Sequence, residues 1–249
     1  MILDDIVSCA HRRAEGLPES FRSPHHVPVS LKNAITESRN NAVIAELKFA
    51  SPSRGVIRDD QKASYVSGEM IRGGCCALSI LTEPDFFHGS TDIITSIRDS
   101  VSVPILRKDF IVDEHQLSET RALGADAVLL ISSILGDSLE HFVKEAKRRE
   151  LEPLVEVHTR KEARLAIDSG ADLVGINNRD LRTFRTDLST TKCVAPVLKN
   201  ADITVVSASG MIWPCDIRSL HNYADAFLIG SSIMSSENPR KRVEGFVYA

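Results

Sequence analysis

The sequence predicts an α/β fold, a closed (β/α)8 TIM barrel that follows a short helical extension. Its 249 residues suit a single domain of this kind, which typically has about 250 residues. Eight short apolar runs rich in β-formers alternate with stretches of helical period. This alternation indicates a parallel sheet, because a right-handed crossover requires a helix between neighbouring strands. An open doubly wound sheet is the alternative, but no GxGxxG turn follows the first run and no P-loop occurs.

The first 42 residues carry two segments with helical spacing of apolar residues, at 2–14 and 30–38. A polar, proline-containing segment, Leu17–Pro28, separates them. A segment of this size is too short for a second domain. We therefore expect residues 1–249 to form one barrel domain, with residues 1–42 as an N-terminal helical extension packed on it.

The predicted barrel begins at residue 43. Several of its apolar runs are apolar on both faces, as strands covered on both sides are. The eight predicted strands are Val43–Lys48, Cys76–Leu81, Val103–Lys108, Ala127–Ile131, Leu154–Val157, Leu173–Ile176, Ile203–Val206 and Ala226–Ile229. Helical stretches include Leu139–Arg149 and Lys161–Ser169, and a shorter one, Arg240–Val247, follows the last strand.

Nearly the same three residues introduce four of the strands. A Gly or Asn ends a helix in a left-handed conformation, and an Asp tolerates the turn before the strand. These triplets therefore predict helix-to-strand turns. They are Gly124-Ala125-Asp126, Gly170-Ala171-Asp172, Asn200-Ala201-Asp202 and Tyr223-Ala224-Asp225, and Gly73-Gly74 precedes the second strand in the same role.

The composition argues against several classes of protein. The net charge is −4 with both signs interspersed, which disfavours a general nucleic-acid or membrane-surface binder. No apolar run approaches the roughly 18 to 20 residues that a membrane-spanning helix requires. The first residues, Met1–Asp5, are acidic where a secretory signal is basic, so we expect a cytoplasmic protein.

The cysteines and histidines indicate no metal site. The five cysteines are an odd number without a CxxC spacing, so we expect reduced, mostly buried thiols. The eight histidines form no HxxxH pair or Cys/His cluster. The cysteines are Cys9, Cys75, Cys76, Cys193 and Cys215.

Two opposite charges lie on the first predicted strand. Alternation along a strand places Glu46 and Lys48 on one face and Ala45 and Leu47 on the other. Burying both charges costs free energy unless they pair or take part in chemistry. On this segment alone, a structural ion pair explains them as well as a catalytic site does.

Polar residues recur at the carboxyl ends of other strands, where the active sites of such barrels lie. Lys108 ends the third strand, Glu156 lies on the fifth and Asn177 follows the sixth. Two acids, two lysines and an asparagine thus converge on one mouth, which a chance ion pair does not explain. We therefore predict Glu46, Lys48, Lys108, Glu156 and Asn177 as catalytic residues.

The ends of the last two strands predict a phosphate site. Ser209-Gly210 and Gly230-Ser231 offer unhindered backbone N–H groups, and barrels often hold a phosphate there against a helix amino terminus. Ser51 and Arg179 would add a hydroxyl and a cation. Ordinary glycine turns would explain either pair alone.

A phosphorylated substrate that faces two acids and two lysines indicates general acid–base chemistry. No Ser-His-Asp or Cys-His set is visible, which disfavours acyl transfer. Lys108 serves either as a Schiff-base nucleophile, if it is desolvated, or as a general acid tuned by a neighbouring carboxylate. Spacing alone does not choose between these roles.

Six segments match a known family in order, from about residue 40 to the end. They are Ile44–Gly55, Leu78–Ser90, Pro104–Asp113, Leu154–Val157, Gly175–Leu181 and Leu228–Met234. Through them the chain resembles indole-3-glycerol phosphate synthase of tryptophan biosynthesis. The resemblance implies a cofactor-free lyase that closes the ring of 1-(2-carboxyphenylamino)-1-deoxyribulose 5-phosphate, with loss of carbon dioxide and water, to give indole-3-glycerol phosphate. It also accounts for the amino-terminal segment, since the family carries extra helices before its first strand.

The resemblance implies roles for the residues that match the family by position. Lys108 is the general acid that protonates the ketone, and Lys48 pairs with the substrate carboxylate and is a candidate proton donor in dehydration. Glu46 and Glu156 orient the lysines and move protons, with the choice of base left open, and Asn177 holds a substrate hydroxyl.

The same resemblance implies contacts with the two ends of a phosphorylated small-molecule substrate. The phosphate would be surrounded by Ser51, Arg179, Ser209, Gly210, Gly230 and Ser231. The anthranilate ring would lie in a slot lined by Phe87, Phe110 and Leu129. Association with other tryptophan-pathway enzymes is left open.

One position departs from the family. Its members usually have Glu-Ser-Gly at the end of the seventh strand, where this chain has Ala208-Ser209-Gly210. The missing carboxylate would lower turnover, shift a lysine pKa or suit a different substrate. We favour the alternative that the usual Glu is auxiliary. Two other hypotheses are a Schiff-base lyase or sugar-phosphate isomerase on the same barrel, and a weak homologue that only binds the ligand in a biosynthetic complex.

Overall fold

Eight parallel strands close into a barrel, which confirms the predicted fold. The computed structural model describes residues 2–22, 26–51, 55–58, 62–180 and 183–249. The strands are β1 (Ala42–Leu47), β2 (Ala50–Ser51), β3 (Gly55–Val56), β4 (Ala77–Leu81), β5 (Ile105–Lys108), β6 (Ala127–Ile131), β7 (Glu152–Val157), β8 (Leu173–Asn177), β9 (Thr204–Ala208) and β10 (Ala226–Ile229). The barrel order is β1-β10-β9-β8-β7-β6-β5-β4, and β2 and β3 form a separate antiparallel pair.

Helices follow the barrel strands and cover the outside of the sheet. They are α1 (Ile2–Glu15), α2 (Leu31–Thr36), α3 (Ala63–Arg72), α4 (Pro84–Phe87), α5 (Asp92–Arg98), α6 (Glu114–Ala122), α7 (Ser132–Leu135), α8 (Leu139–Arg148), α9 (Arg160–Asp168), α10 (Ser189–Lys199), α11 (Pro214–Arg218), α12 (Ser231–Met234) and α13 (Pro239–Val247), with a 3-10 turn at Gly136–Ser138. In the described part of the chain, no helix has the length and apolarity to span a membrane.

Alternation along the strands divides the core into two layers. Ala45 and Leu47 belong to the layer between the sheet and the outer helices. Ile44 belongs to the layer inside the barrel, together with Leu106 and Leu154 from other strands. Glu46 alternates with Ala45 and Leu47 and is therefore directed into the barrel, as predicted.

The two amino-terminal helices contact the barrel at different places. In α1, Arg13 forms ion pairs with Glu83 and Asp85 at the start of α4 and with Asp109 directly after β5. At the start of α2, the Lys32 N–H donates to a carboxylate oxygen of Glu152 at 2.9 Å, at the beginning of β7.

The Asp of the repeated triplet contributes more than tolerance of a turn. Asp126 accepts the backbone N–H of Ile105 at 2.7 Å, and Asp225 accepts that of Val205 at 2.7 Å, so each ties the start of one strand to its neighbour. Gly124 and Gly170 are left-handed, as predicted. The same prediction was wrong for Asn200, which remains in the helical region while Asp202 takes the left-handed conformation.

The expectation of mostly buried cysteines was wrong. All five are free thiols, but only Cys75 is buried, Cys9 and Cys76 are half-buried, and Cys193 and Cys215 are exposed. The exposed pair lies on α10 and α11, on the outer surface of the helical layer. Burial raises the pKa of the Cys76 thiol to about 11, so that side chain stays protonated at neutral pH.

Candidate active site

A cavity of about 580 Å³ opens at the carboxyl ends of the barrel strands. Its lining includes every predicted site residue except Ser51, of which the structure describes the backbone but not the side chain. The predicted residues that line it are Glu46, Lys48, Phe87, Lys108, Phe110, Leu129, Glu156, Asn177, Arg179, Ser209, Gly210, Gly230 and Ser231.

Glu46 lies between the two lysines and is almost completely buried. Its Oε1 is 2.6 Å from Lys48 Nζ, and its Oε2 is 3.7 Å from Lys108 Nζ. Burial by itself raises the pKa of Glu46, but the two ammonium groups outweigh burial and the net pKa is lowered. One ionised carboxylate therefore neutralises part of the charge of both lysines.

Gly230 gives the Glu46 side chain its space. A Cβ at position 230 would overlap Glu46 Oε1 and would lie 3.0 Å from Glu46 Cδ. Gly230 was predicted from the phosphate argument, but this close approach is a separate physical reason for a glycine there.

The residue after Lys108 holds the end of β5 in place. The Asp109 carboxylate accepts the backbone N–H of Phe110 at 2.8 Å and pairs with Arg107 at 3.1 Å. Arg13 from α1 pairs with the other side of the same carboxylate at 3.1 Å. Lys108 therefore projects from a segment whose backbone is held by buried charge pairs.

An aromatic pair forms one wall of the cavity. The rings of Phe87 and Phe110 have centroids 6.2 Å apart and planes inclined by 31°. Phe87 belongs to α4, where the buried Glu83 accepts three backbone N–H groups, including that of Phe87 at 3.1 Å. Leu129 also lines the cavity. Together these side chains form an apolar surface suited to a flat ring.

Glu156 faces the cavity from the side opposite Glu46, because β7 lies four strands from β1 in either direction around the barrel. Among the described residues, neither a lysine nor an arginine forms an ion pair with it. Its ionisable neighbour is His158, whose Nε2 lies 3.9 Å from Glu156 Oε1. The two predicted acids thus have different partners.

Two asparagines follow one another at the end of β8 and have different tasks. Asn177 is buried and lines the cavity, and its Oδ1 accepts the N–H of Arg179 at 3.0 Å. The Asn178 amide donates to the carbonyls of Ala208 at 3.1 Å and Ser209 at 3.0 Å. Asn178 therefore fixes the β9 end beside the cavity, a role that strand-end residues alone did not reveal.

The predicted phosphate end has a constrained backbone. Ser209 and Gly210 have left-handed φ values of 66° and 91°. A Cβ at position 210 would lie 2.6 Å from Thr186 Cγ2, so the chain passes closely over the loop that follows β8. Ser231 lies in the first turn of α12, whose first N–H groups have no intrahelical acceptor. Arg179 also lines the cavity.

Several residues that line this end of the cavity were not predicted from the sequence. Arg242 of α13 lines the cavity, stacks over the Trp213 ring at 4.8 Å and donates to the carbonyl of Ile212. Ser232, next to the predicted Ser231, also lines it. Arg242 is one of four charged residues in α13, so its charge does not single it out in the sequence.

Comparison with known proteins decides the family. The family model described as indole-3-glycerol phosphate synthase matches residues 7–246. The chain belongs to this family. It is 43% identical over 227 residues to an indole-3-glycerol phosphate synthase of Carboxydothermus hydrogenoformans, covering 88% of this chain and 85% of the relative. A synthase of Acetivibrio thermocellus is 38% identical over 258 residues, covering 99% of both chains.

Solved structures agree with the barrel fold. The chain superposes on thiamine phosphate pyrophosphorylase from Pyrococcus furiosus with a TM-score of 0.62, covering 87% of this chain and 96% of that chain. The sequence identity is 18%, so this likeness concerns the fold alone. Family membership places the chain among enzymes, specifically carboxy-lyases of tryptophan biosynthesis, whose substrate is a phosphorylated small molecule.

Proposed function

We propose that this chain closes the indole ring of 1-(2-carboxyphenylamino)-1-deoxyribulose 5-phosphate by general acid–base catalysis. One observation carries the assignment within the family: Lys108 lies 3.7 Å from Glu46 and lines the same cavity as the Phe87–Phe110 pair. A proton donor therefore adjoins the surface on which the anthranilate ring would lie.

Lys108 is the acid of the first step. The ring carbon that bears the carboxylate attacks the ketone carbon, and the developing alkoxide takes a proton from the Lys108 ammonium. An ammonium paired with a carboxylate suits this role better than that of a Schiff-base nucleophile, which must be a free amine. Loss of carbon dioxide then restores the aromatic ring.

Lys48 is the cation for the substrate carboxylate. It is bound to Glu46 at 2.6 Å and lines the cavity, so its free N–H groups can meet an anionic group of the ligand. It also supplies the proton that turns the hydroxyl into water during dehydration. Asn177 orients that hydroxyl.

Glu156 is the base of the dehydration step. Glu46 is paired with both lysines, which favours its role as a fixed negative charge. Glu156 lines the opposite wall and pairs with no lysine or arginine among the described residues. It is thus the carboxylate available to remove the C–H proton whose loss completes the indole.

The phosphate is bound at the β9 and β10 ends. Ser209, Gly210 and Ser231 present backbone N–H groups or hydroxyls along the cavity, and Arg179 and Arg242 contribute positive charge. Gly230 contributes indirectly, because the absence of a side chain leaves space for the Glu46 carboxylate. Ser51 remains a predicted phosphate ligand. We further propose the cytoplasm as the compartment; association with other tryptophan-pathway enzymes stays a proposal to test by co-purification.

The direct test is an assay of purified protein with the proposed substrate, following the rise of indole fluorescence. Product should form without any added cofactor or metal, and the Lys108→Met variant should form it about 10³-fold more slowly. Absence of product at high enzyme concentration would refute the proposal. Borohydride trapping of the substrate on Lys108 would support the competing Schiff-base mechanism.

A further inference from the structure

His158 follows β7 directly, and its imidazole lies between two carboxylates. Its Nε2 is 3.9 Å from Glu156 Oε1, and its Nδ1 is 3.6 Å from Glu162 Oε2 on α9. Glu156 lines the cavity, whereas the Glu162 side chain is 22% exposed to solvent. The three side chains of Glu156, His158 and Glu162 therefore connect the cavity with the outside of the barrel.

The buried nitrogen of the imidazole makes no hydrogen bond in the described structure. The His158 side chain is 17% exposed, yet its Nε2 is buried and has no hydrogen-bond partner among the described residues. Leaving a buried polar atom without a hydrogen bond costs free energy. A group directed at Glu156 at that cost calls for a functional explanation.

The charges around His158 favour an imidazole that binds a proton readily. Burial lowers the pKa of His158, but the carboxylates of Glu162 and Glu156 and the backbone of Arg179 outweigh burial, and the net pKa is raised. Helix α7 (Ser132–Leu135) packs against both β7 and α9 and contributes no ionisable side chain. The charged side chains that raise the pKa of His158 are the two glutamates.

A structural explanation covers only half of this arrangement. Glu162 accepts the backbone N–H of His158 at 2.6 Å, while Thr159 accepts the N–H of Glu162 at 3.1 Å. This exchange resembles a capping box and would hold Glu162 at the start of α9 whatever the side chain at 158. It does not account for the approach of Nε2 to Glu156.

The proposed reaction requires proton exchange with solvent. Ring closure adds one proton to the ketone oxygen, dehydration adds a second to release that oxygen as water, and loss of the C–H proton returns one. The substrate carboxylate leaves as neutral carbon dioxide, so each turnover consumes one proton. Glu156 must also lose the C–H proton before the next cycle.

We propose, on the basis of the proposed function, that His158 is a positioning and proton-relay residue for Glu156, with Glu162 as the outer end of the relay. The protonated Glu156 gives its proton to Nε2 while Nδ1–H passes its proton to Glu162, and the reverse sequence brings a proton inward. No electrons are transferred and no co-reactant is needed. One bridging water or a small side-chain rotation closes the 3.9 Å gap.

The first test compares His158→Asn with a matched surface variant. Asn retains hydrogen-bonding capacity but does not titrate, so we expect kcat to fall about ten- to hundredfold with KM little changed. The pH profile of kcat should lose its dependence on His158, and added imidazole buffer should restore part of the rate. His141 is exposed and pairs with Glu114 at 2.7 Å, outside the relay, so His141→Asn should behave as wild type. The relay would be overturned if folded His158→Asn kept the kcat and the pH profile of the wild type. A fall in kcat that imidazole does not partly restore would overturn it as well.

The second test does not depend on activity. Nuclear magnetic resonance of ring nitrogens, with His158 assigned through His158→Asn, gives the titration midpoint of this imidazole. Removing either negative neighbour should lower that midpoint, so Glu156→Gln and Glu162→Gln should both shift it downward. An unchanged midpoint in Glu156→Gln overturns the relay even if wild type makes the product. Conversely, wild type that makes no product but shows both shifts would refute the proposed function alone.

Discussion

Glu46 and Glu156 are buried to the same extent, about 3% exposed, and face one cavity from opposite walls of the barrel. Glu46 lies against two ammonium groups, whereas Glu156 lies against one imidazole that is itself paired outward. Equal burial thus accompanies different electrostatic surroundings. The charged partner of each carboxylate, rather than its depth of burial, therefore suits Glu46 to hold a charge and Glu156 to exchange a proton.

Lys108 should be the most sensitive position, because it adjoins Glu46 and supplies the acid of the first step. Lys108→Met should reduce kcat by about 10³-fold, within the range usual for loss of a general acid, with the barrel intact by circular dichroism. Lys144→Met is the matched control, since Lys144 forms an exposed pair with Glu140 on α8. Retained turnover in Lys108→Met would refute the assignment.

The fold and most of the cavity lining could be predicted because both depend on patterns within single strands. Eight apolar runs with helices between them admit few topologies, and polar strand ends in a barrel must meet at one mouth. Glu46 and Lys108 were found in this way.

The remaining features arise between elements that are distant in sequence. The pairing of His158 with Glu162 depends on where α9 begins, and Arg242 reaches the cavity because α13 packs against β1 and α12. The overlap that requires a glycine at 230 depends on the β1–β10 register. The local hydrophobic periodicity of the sequence does not determine these contacts between distant elements.

Glu46→Gln should destabilise the fold in a pH-dependent manner, because it leaves two lysines without their shared carboxylate. The folded-state pKa of Glu46 is lowered from its ordinary value of 4.5, so its stabilising effect is present above that value and is lost as pH falls through the folded pKa. Urea unfolding at pH 7 should show wild type more stable by about 3 kcal/mol. A difference that stays constant down to pH 3 would contradict the charge-neutralising role.

Gly230→Ala should displace Glu46 without removing it. The added methyl group overlaps the carboxylate, so we expect a loss of about tenfold in kcat and about 1–3 kcal/mol in stability. Gly245→Ala on α13 is the matched control, because a Cβ there meets nothing within 4 Å. Equal behaviour of the two alanine variants in activity and urea unfolding would show that Glu46 tolerates displacement.

Ala208→Glu should have the smallest effect. Ala208 is buried beside Asn177 in the β8–β9 register, where a Glu would add a carboxylate near the mouth. Since Glu46 and Glu156 already have separate partners, we expect kcat to change by less than about threefold. A large gain in steady-state rate would instead identify the natural chain as catalytically impaired by its alanine.

The most direct test of the division between the two acids is a single-turnover experiment on Glu156→Gln that follows carbon dioxide release and indole fluorescence separately. Carbon dioxide leaves after ring closure, and the indole forms only after dehydration. If Glu156 is the dehydration base, carbon dioxide should appear at nearly the wild-type rate while the indole signal lags by about 10²-fold. Equal slowing of both signals in Glu156→Gln, or this lag in Glu46→Gln instead, would contradict the account.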